Sequence, residues 1–438
     1  MPTEPQSASS AEPPAGIERS RLGGAAPGSE RASRAGPPAA GKSSGGMGGN
    51  VVALGFVSLF TDVSTEMIVP VLPLFITGIL RASVASLGVI EGVAECTATV
   101  LRLASGWISD RIGARKPFLV FGYGLSGAAK AALALAASWA AVLGLRFTDR
   151  VGKGLRNPPR DALIADSVEP AARGRAFGLH RAMDTVGAAL GPLVAFALLS
   201  AFPGDFRRIF ALSIVPAALS ILVLWIFVRA PRHEPRALET FHREVRALGS
   251  AYHRFVLVAG LFALASSSTA FLLLYARHAG FADRQVPLVY LLYNVVYALL
   301  SWPMGALSDR VGRRVLLFVA YALFAGTYGL LAWRGSRASV LGGFALLGVH
   351  SALLEVSQRS MIADLVPEDR RATAYGAYYA AVGLALLPAS VIAGVIWDRF
   401  GPRASLGLDA GLALIAALLF VLLLPLGAER VDRHAPAA

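Results

Sequence analysis

Apolar positions in this chain are gathered into long runs. From Val51 onward such runs recur about every thirty residues, near 52–79, 84–108, 117–137, 139–165, 175–201, 208–229, 254–277, 285–307, 314–334, 338–365, 373–397 and 404–426. A helix needs ~20 mostly apolar residues to cross the ~30 Å hydrocarbon core of a bilayer. It is one of the two structures that satisfy every backbone N–H and C=O there. The pattern predicts an all-α integral membrane protein with twelve transmembrane helices embedded in the lipid bilayer. Residues 1–50 differ in kind, being rich in Ser, Pro, Gly and Ala with almost no large apolar side chains, and are expected to form a disordered cytoplasmic tail. They lack the apolar core of a signal peptide, and four glutamates argue against a transit peptide. Gly36, Gly41, Lys42 and Ser43 match the phosphate-loop spacing, but Pro37 and Pro38 interrupt it and no strand precedes it, so we read the match as chance.

Composition agrees with the run pattern. The 438 residues are 55% hydrophobic and only 16% charged, with a mean hydropathy of +0.58, against about 25% charged in globular chains. That excludes most soluble enzymes. The single cysteine, Cys96, rules out a disulfide framework and a Cys-based metal site, and reads as a small core residue. Net charge is +13, and its placement is informative: the tails and alternate loops on one side carry 23 Lys and Arg, the opposite loops nine. Basic loops stay cytoplasmic, so both termini are assigned to the cytoplasm. The charge then reflects orientation and not nucleic-acid binding.

The two halves repeat. GWISDRIGARK at 106–116 and GALSDRVGRRV at 305–315 share six of eleven residues, and IADSVEPAARGRAFG at 164–178 and IADLVPEDRRATAYG at 362–376 share seven of fifteen, at offsets of 199 and 198. The chain therefore reads as a duplicated unit: an N-terminal six-helix bundle over 51–229, a cytoplasmic linker at 230–253, a C-terminal six-helix bundle over 254–427 and a cytoplasmic tail at 428–438. Such duplication commonly builds a site between the repeats, which rock about it. Leu238, Phe241, Val245, Leu248 and Tyr252 fall at helical spacing among basic residues, which predicts a linker helix lying on the membrane surface.

Charges inside the spans carry the chemistry. Nine basic residues (Arg102, Lys130, Arg146, Arg150, Lys153, Arg156, Arg160, Arg181, Arg359) and eight acidic ones (Asp62, Glu66, Glu91, Glu95, Asp149, Asp161, Asp184, Glu355) stand out. A central charge costs ~2.5–3.5 kcal/mol on insertion scales, so these groups are expected to face protein or water. Arg146, Arg150, Lys153, Asn157 and Arg160 form one helical stripe roughly 20 Å long, Glu91 and Glu95 start a second, and Asp62 with Glu66 a third. The near balance of signs favours ion pairs, including Glu355 with Arg359 at i,i+4. Asp62 and Glu66 precede Pro70 and Pro73, where the first helix is weakened, and are the leading candidates to carry a proton. In the fifth span Asp184, clustered with His180 and Arg181, is the other. Burial favours the proton-bound form of a carboxyl group, as a reversible carrier requires.

Gly106, Asp110, Arg111, Gly113, Arg115 and Lys116, then Gly305, Asp309, Arg310, Gly312, Arg313 and Arg314, resemble the G-x-x-x-D-R-x-G-R-[RK] loop of the major facilitator superfamily, with Ala114 where a first basic residue is usual. The resemblance spans about 52–427. It implies a twelve-helix fold of two pseudo-symmetric bundles, with these loops latching one conformation by pairing across the halves. Arg146 occupies the place of an arginine usual in the fourth span, while Arg150 replaces a glycine. Gly178, Gly187, Gly191 and Pro192 reproduce a fifth-span spacing associated with antiporters of that family, and Glu66 before Pro70 resembles the first helix of its drug exporters.

The expected function is secondary active transport of a small organic solute by alternating access, coupled to protons and directed outward. No cofactor or metal is called for, and the protein is expected to act as a monomer. An organic-anion uptake or exchange carrier using the fourth-span stripe stays open. Catalytic signatures such as HExxH and GxSxG are absent, and high Ala, Arg and Gly usage suggests a bacterial inner membrane. Phe271, Tyr275, Tyr290, Tyr293 and Trp302 are further cavity candidates, although aromatics in spans are more often packing or interface residues.

Overall fold

The computed structural model describes residues 48–112, 114–229, 245, 248–367 and 370–424. The N-terminal tail with its phosphate-loop match, most of the linker, the C-terminal tail and Gly113 lie outside the described residues.

Twelve helical stretches follow: α1 (Gly49–Glu66), α2 (Val84–Ile112), α3 (Lys116–Ala132), α4 (Trp139–Asp166), α5 (Arg173–Ala201), α6 (Ile214–Phe227, preceded by a short helix at Phe206–Leu212), α7 (Ser250–Ala265, continued by Thr269–His278), α8 (Val286–Val311), α9 (Arg313–Trp333), α10 (Arg337–Leu365), α11 (Arg371–Phe400) and α12 (Pro402–Leu423). Starts are set locally, by Ser138 and Ser336 accepting the backbone N–H groups of Ala141 and Ser339 ahead of α4 and α10. Proline occupies the first turn of α3, α8 and α12, where its missing N–H costs nothing. Among the described residues, ten stretches are long and apolar enough to cross a membrane. The other two are α1, which stops at its own carboxylates, and α4, which carries the cationic stripe. These two build the site.

The chain forms two pseudo-symmetric six-helix bundles. In the first, α1 packs on α5 and α6, and α4 lies against α2 and α3. In the second, α8 packs on α10, α9 on α10 and α12, and α7 on α11 and α12. The repeat extends to single hydrogen bonds: Arg173 Nε donates to Ala165 O and Arg371 Nη2 to Ala363 O, both at 3.2 Å. Arg115 pairs with Asp166 at the end of α4, and Arg313 with Asp364 at the end of α10. These contacts define a loop end of the molecule. Gly312 there holds φ at +97°, a conformation that favours glycine.

The bundles meet along α2–α11 and α5–α8. A Cβ on Gly88 would stand 2.2 Å from Ser390 O, and one on Gly92 2.8 Å from Leu387 O, so α2 and α11 touch backbone to backbone. At the far end, opposite the loop end, the Asp398 carboxylate of α11 accepts the N–H groups of Val84 (3.0 Å) and Ala85 (2.8 Å) at the start of α2. A carboxylate at a helix N-terminus satisfies orphan donors and complements the dipole. Here it also ties the two halves together.

Among the described residues, two spans lose helical geometry over three or more consecutive residues. After Glu66 the first leaves α-helical geometry, re-forms briefly at Leu72–Leu74 and ends in a π-helical turn at Phe75–Ile79, as Pro70 and Pro73 predict. The seventh is interrupted at residues 266–268, three consecutive serines with no proline.

Candidate functional site

The α4 stripe faces protein. Arg146 and Arg150 are only 2% and 4% exposed. Arg146 Nη2 reaches Glu91 Oε1 on α2 at 3.0 Å and its Nη1 reaches Asp149 Oδ2 at 3.3 Å. Arg150 Nη2 lies 3.0 Å from Glu95 Oε1. Asp149 also accepts the Ser126 hydroxyl at 2.5 Å, and buried Arg156 stacks its guanidinium 4.3 Å from the centre of the Tyr123 ring. Removing ions from water is costly unless each finds a partner of good geometry, and here the facing acids of α2 supply it. Arg150, standing where the family pattern has glycine, fills its position by pairing with Glu95.

The stripe divides along its length. Arg146, Arg150 and Lys153 line a cavity of about 210 Å³ with Glu66, Glu91, Glu95, Thr65 and Pro73 on one side and Ser268, Thr269 and Tyr290 on the other. Asn157 sits between, and Arg160, paired with Asp161 at 2.8 Å, lines a second chamber of about 410 Å³. Around the first cavity the acids of α2 and α4 are held by arginines. Asp62 and Glu66 of α1 are not: among the described residues neither makes an ion pair, and Glu66 Oε2 is buried with no hydrogen-bond partner. Lys153, unlike Arg146 and Arg150, also lines the cavity without an ion pair among the described residues.

The glycines of α5 seat these carboxylates. A Cβ on Gly187 would lie 2.6 Å from Leu59 O and 2.9 Å from Asp62 Cβ, and one on Gly191 2.6 Å from Glu66 Cβ. Gly178 of the same motif has open space around it, and Pro192 is buried inside α5. The antiporter-like spacing thus contains two contact glycines that set α1 against α5, and one that touches nothing.

The second chamber holds the remaining candidate. His180 Nε2 and Ser58 Oγ are 2.8 Å apart, and His180 Nδ1 lies 3.5 Å from Asp184 Oδ2. Asp184 Oδ1 is buried without a hydrogen-bond partner among the described residues. Across the chamber Glu355 takes Arg359 at 2.9 Å, as the i,i+4 spacing predicts, and Arg181 of the other half at 3.3 Å, with Tyr297 bonded to both Arg181 and Glu355. A lobe of about 290 Å³ opens beside the first cavity, lined by Ser266–Thr269, Tyr293, Tyr328, Phe344, His350 and Ser351.

Several candidates fall elsewhere. Phe271 and Tyr275 are buried core residues near Trp397, and Trp302 is exposed, so of the five aromatic candidates Tyr290 and Tyr293 line the cavities. Sequence reasoning passes over the serines: Ser58, Ser126 and Ser268 each hold a charged partner, and nothing in their spacing marks them. Of the two loop motifs, Lys116 caps the end of α6 by donating to Val228 O at 2.8 Å, and Gly305 has open space. The described pairs Arg115–Asp166 and Arg313–Asp364 each lie within one bundle. Ala114 stands where the second loop has Arg313, and Arg115 takes over the pairing. The side chains of Asp110, Arg111 and Asp309, on which a latch across the halves turns, lie outside the described residues.

The Major Facilitator Superfamily profile matches residues 54–281 and 255–438. The chain belongs to this superfamily. An MFS-type transporter of Methanocaldococcus jannaschii is 35% identical over 378 residues, covering 85% of this chain and 94% of the relative. Multidrug resistance protein MdtH of Aeromonas hydrophila is 25% identical over 336 residues, covering 75% and 82%. Among solved structures, a mutant of the nucleoside transporter NupG superposes with a TM-score of 0.76 at 12% identity, covering 85% of this chain and 99% of that one. The fold is the one these facilitator-superfamily members share, and family and fold are those of membrane transporters, not enzymes.

Proposed function

We propose that this MFS transporter couples the outward movement of a small organic solute to proton entry, with Glu66 as the principal proton carrier and Asp62 and Asp184 beside it. One observation carries the reading. The acids of α2 and α4 around the cavity are held by arginines, while the α1 carboxylates, at the proline-weakened break, have no ion pair among the described residues. An acid without a counter-ion can gain and lose a proton without stranding a buried cation, and a break gives it a backbone that can change shape with its charge. The two bundles, 51–229 and 254–427, rock about the cavity as units, with both termini in the cytoplasm of a bacterial cell. Export is assigned on the likeness to multidrug resistance protein MdtH and on the α5 glycine spacing.

The anion reading is the weaker one, because Arg146 and Arg150 are already engaged by Glu91, Glu95 and Asp149. Of the three cations lining the first cavity, Lys153 remains to take an anionic group. The test is the purified chain in liposomes under an imposed pH gradient, offered labelled antibiotics, sugars and organic acids. Glu66→Gln is expected to lose gradient-driven accumulation while keeping solute exchange. Unchanged uphill transport in that variant rejects Glu66, and loss restricted to organic acids on Lys153→Met supports the anion carrier.

A further inference from the structure

One buried carboxyl group takes no part in the cavity just described. Asp409, two turns into α12, is 1% exposed. Its Oδ2 accepts the Ser267 hydroxyl of α7, and among the described residues no lysine, arginine or histidine pairs with it. Of the helices packed on α12, α9 presents Tyr328, α7 presents Ser267, and α11 presents no titratable group to it among the described residues. An ionised carboxylate left unpaired in such surroundings is strongly disfavoured, and the group neutralises instead.

Its one strong contact falls on a mechanical weak point. Ser267 lies in the break of the seventh span, where helical hydrogen bonding lapses at residues 266–268. The next residue, Ser268, donates to Glu91 Oε2 across the bundle interface at 3.3 Å, and Glu91 in turn holds Arg146. A polar chain thus runs from the core of the C-terminal bundle to the ion pairs of the N-terminal one. The 290 Å³ lobe reaches Ser266, Ser267 and Ser268, which provides a route for water to the Asp409 contact.

We propose that Asp409 is a second proton-binding site of the transport cycle, protonated while the α7 break is seated on it and releasing its proton when water enters through the lobe. The ionised carboxylate accepts the Ser267 hydroxyl more strongly, but it is tolerated only where water reaches it, so release favours the state in which the 266–268 break has opened to the lobe and, through Ser268, loosens the hold on Glu91. The role in transport rests on the proton-coupled reading above, whereas the proton site stands on its own geometry. The test uses the purified full-length chain and needs no solute. In pH-difference infrared spectra Asp409→Asn is expected to remove one titrating C=O band of a protonated carboxyl that Glu66→Gln leaves in place. Hydrogen exchange of peptides covering 262–272, corrected for its intrinsic pH dependence, is expected to rise several-fold above the titration in the wild type and to stay slow in Asp409→Asn. Retention of every carboxyl band in Asp409→Asn, or an exchange profile that still follows pH, overturns the proposal. A Glu66→Gln spectrum that loses no band counts against the first-cavity reading and leaves Asp409 standing. Should Asp409→Asn not fold, Ser267→Ala is expected to shift the band, and an unshifted band is the overturning result.

Discussion

At the scale of single residues, packing and charge make separable demands. Gly191 and Gly178 belong to one sequence motif, yet only Gly191 faces an obstacle: its Cβ would fall 2.6 Å from Glu66 Cβ and 2.8 Å from Glu66 C. Gly191→Ala must push α1 away, at a cost of ~1–3 kcal/mol for overpacking, and moves Glu66 in doing so. Gly178→Ala replaces a helix-interior glycine in open space and should gain roughly 0.5–1 kcal/mol. Opposite shifts in melting temperature in detergent are expected; equal shifts would contradict the contact geometry. The ion pairs behave differently. Arg146→Met leaves Glu91 and Asp149 buried without the guanidinium they share, and breaking such a pair costs ~3–5 kcal/mol. Adding Glu91→Gln to Arg146→Met should recover part of that loss, which a two-variant thermal cycle measures.

Elements show what the sequence can and cannot disclose. Spans, duplication and the α1 break were legible because each has a local cause: a long apolar run, a repeated string, Pro70 and Pro73. The pairing of Arg146 with Glu91 and Arg150 with Glu95 was not, because it depends on how α2 and α4 are rotated against each other. The α7 break carries no proline and is held by hydroxyl contacts from other helices. Asp409 is an acid inside the 404–426 run that the reading of charges in the spans passes over, and nothing local ties it to Ser267. Asp398 is of the same kind, a carboxylate near the end of α11 whose partners lie more than three hundred residues away. Loss of a carboxylate cap costs ~0.5–2 kcal/mol. If the cap exists only while the far end is closed, Asp398→Ala should raise the open-to-closed ratio there about two- to thirty-fold. Spin labels at Leu135 and Trp333, both exposed and at the far tips of α3 and α9, report it as growth of a longer distance population.

For the whole molecule, two of the cross-bundle ties sit at different heights and should oppose each other. Asp398 closes the far end, whereas Arg181, Glu355 and Tyr297 bridge α5, α10 and α8 about two to four turns in from the loop end. A two-state molecule responds to differential stabilisation alone. Weakening the far-end tie favours opening there, and weakening the inner bridge favours opening toward the loops. The bridge is half exposed, with Arg181 at 52%, so Glu355→Gln should shift the balance by up to ~1 kcal/mol, about fivefold. Labels at Ile112 and Val311, exposed and related by the repeat, should then lengthen at the loop end while the Leu135–Trp333 distance shortens. The two ties share no residue, so their free energies should add. The Asp398→Ala, Glu355→Gln double variant is expected to return toward the wild-type distribution at both ends. Independent lengthening at each end would mean that the bundles do not rock as rigid bodies about the cavity.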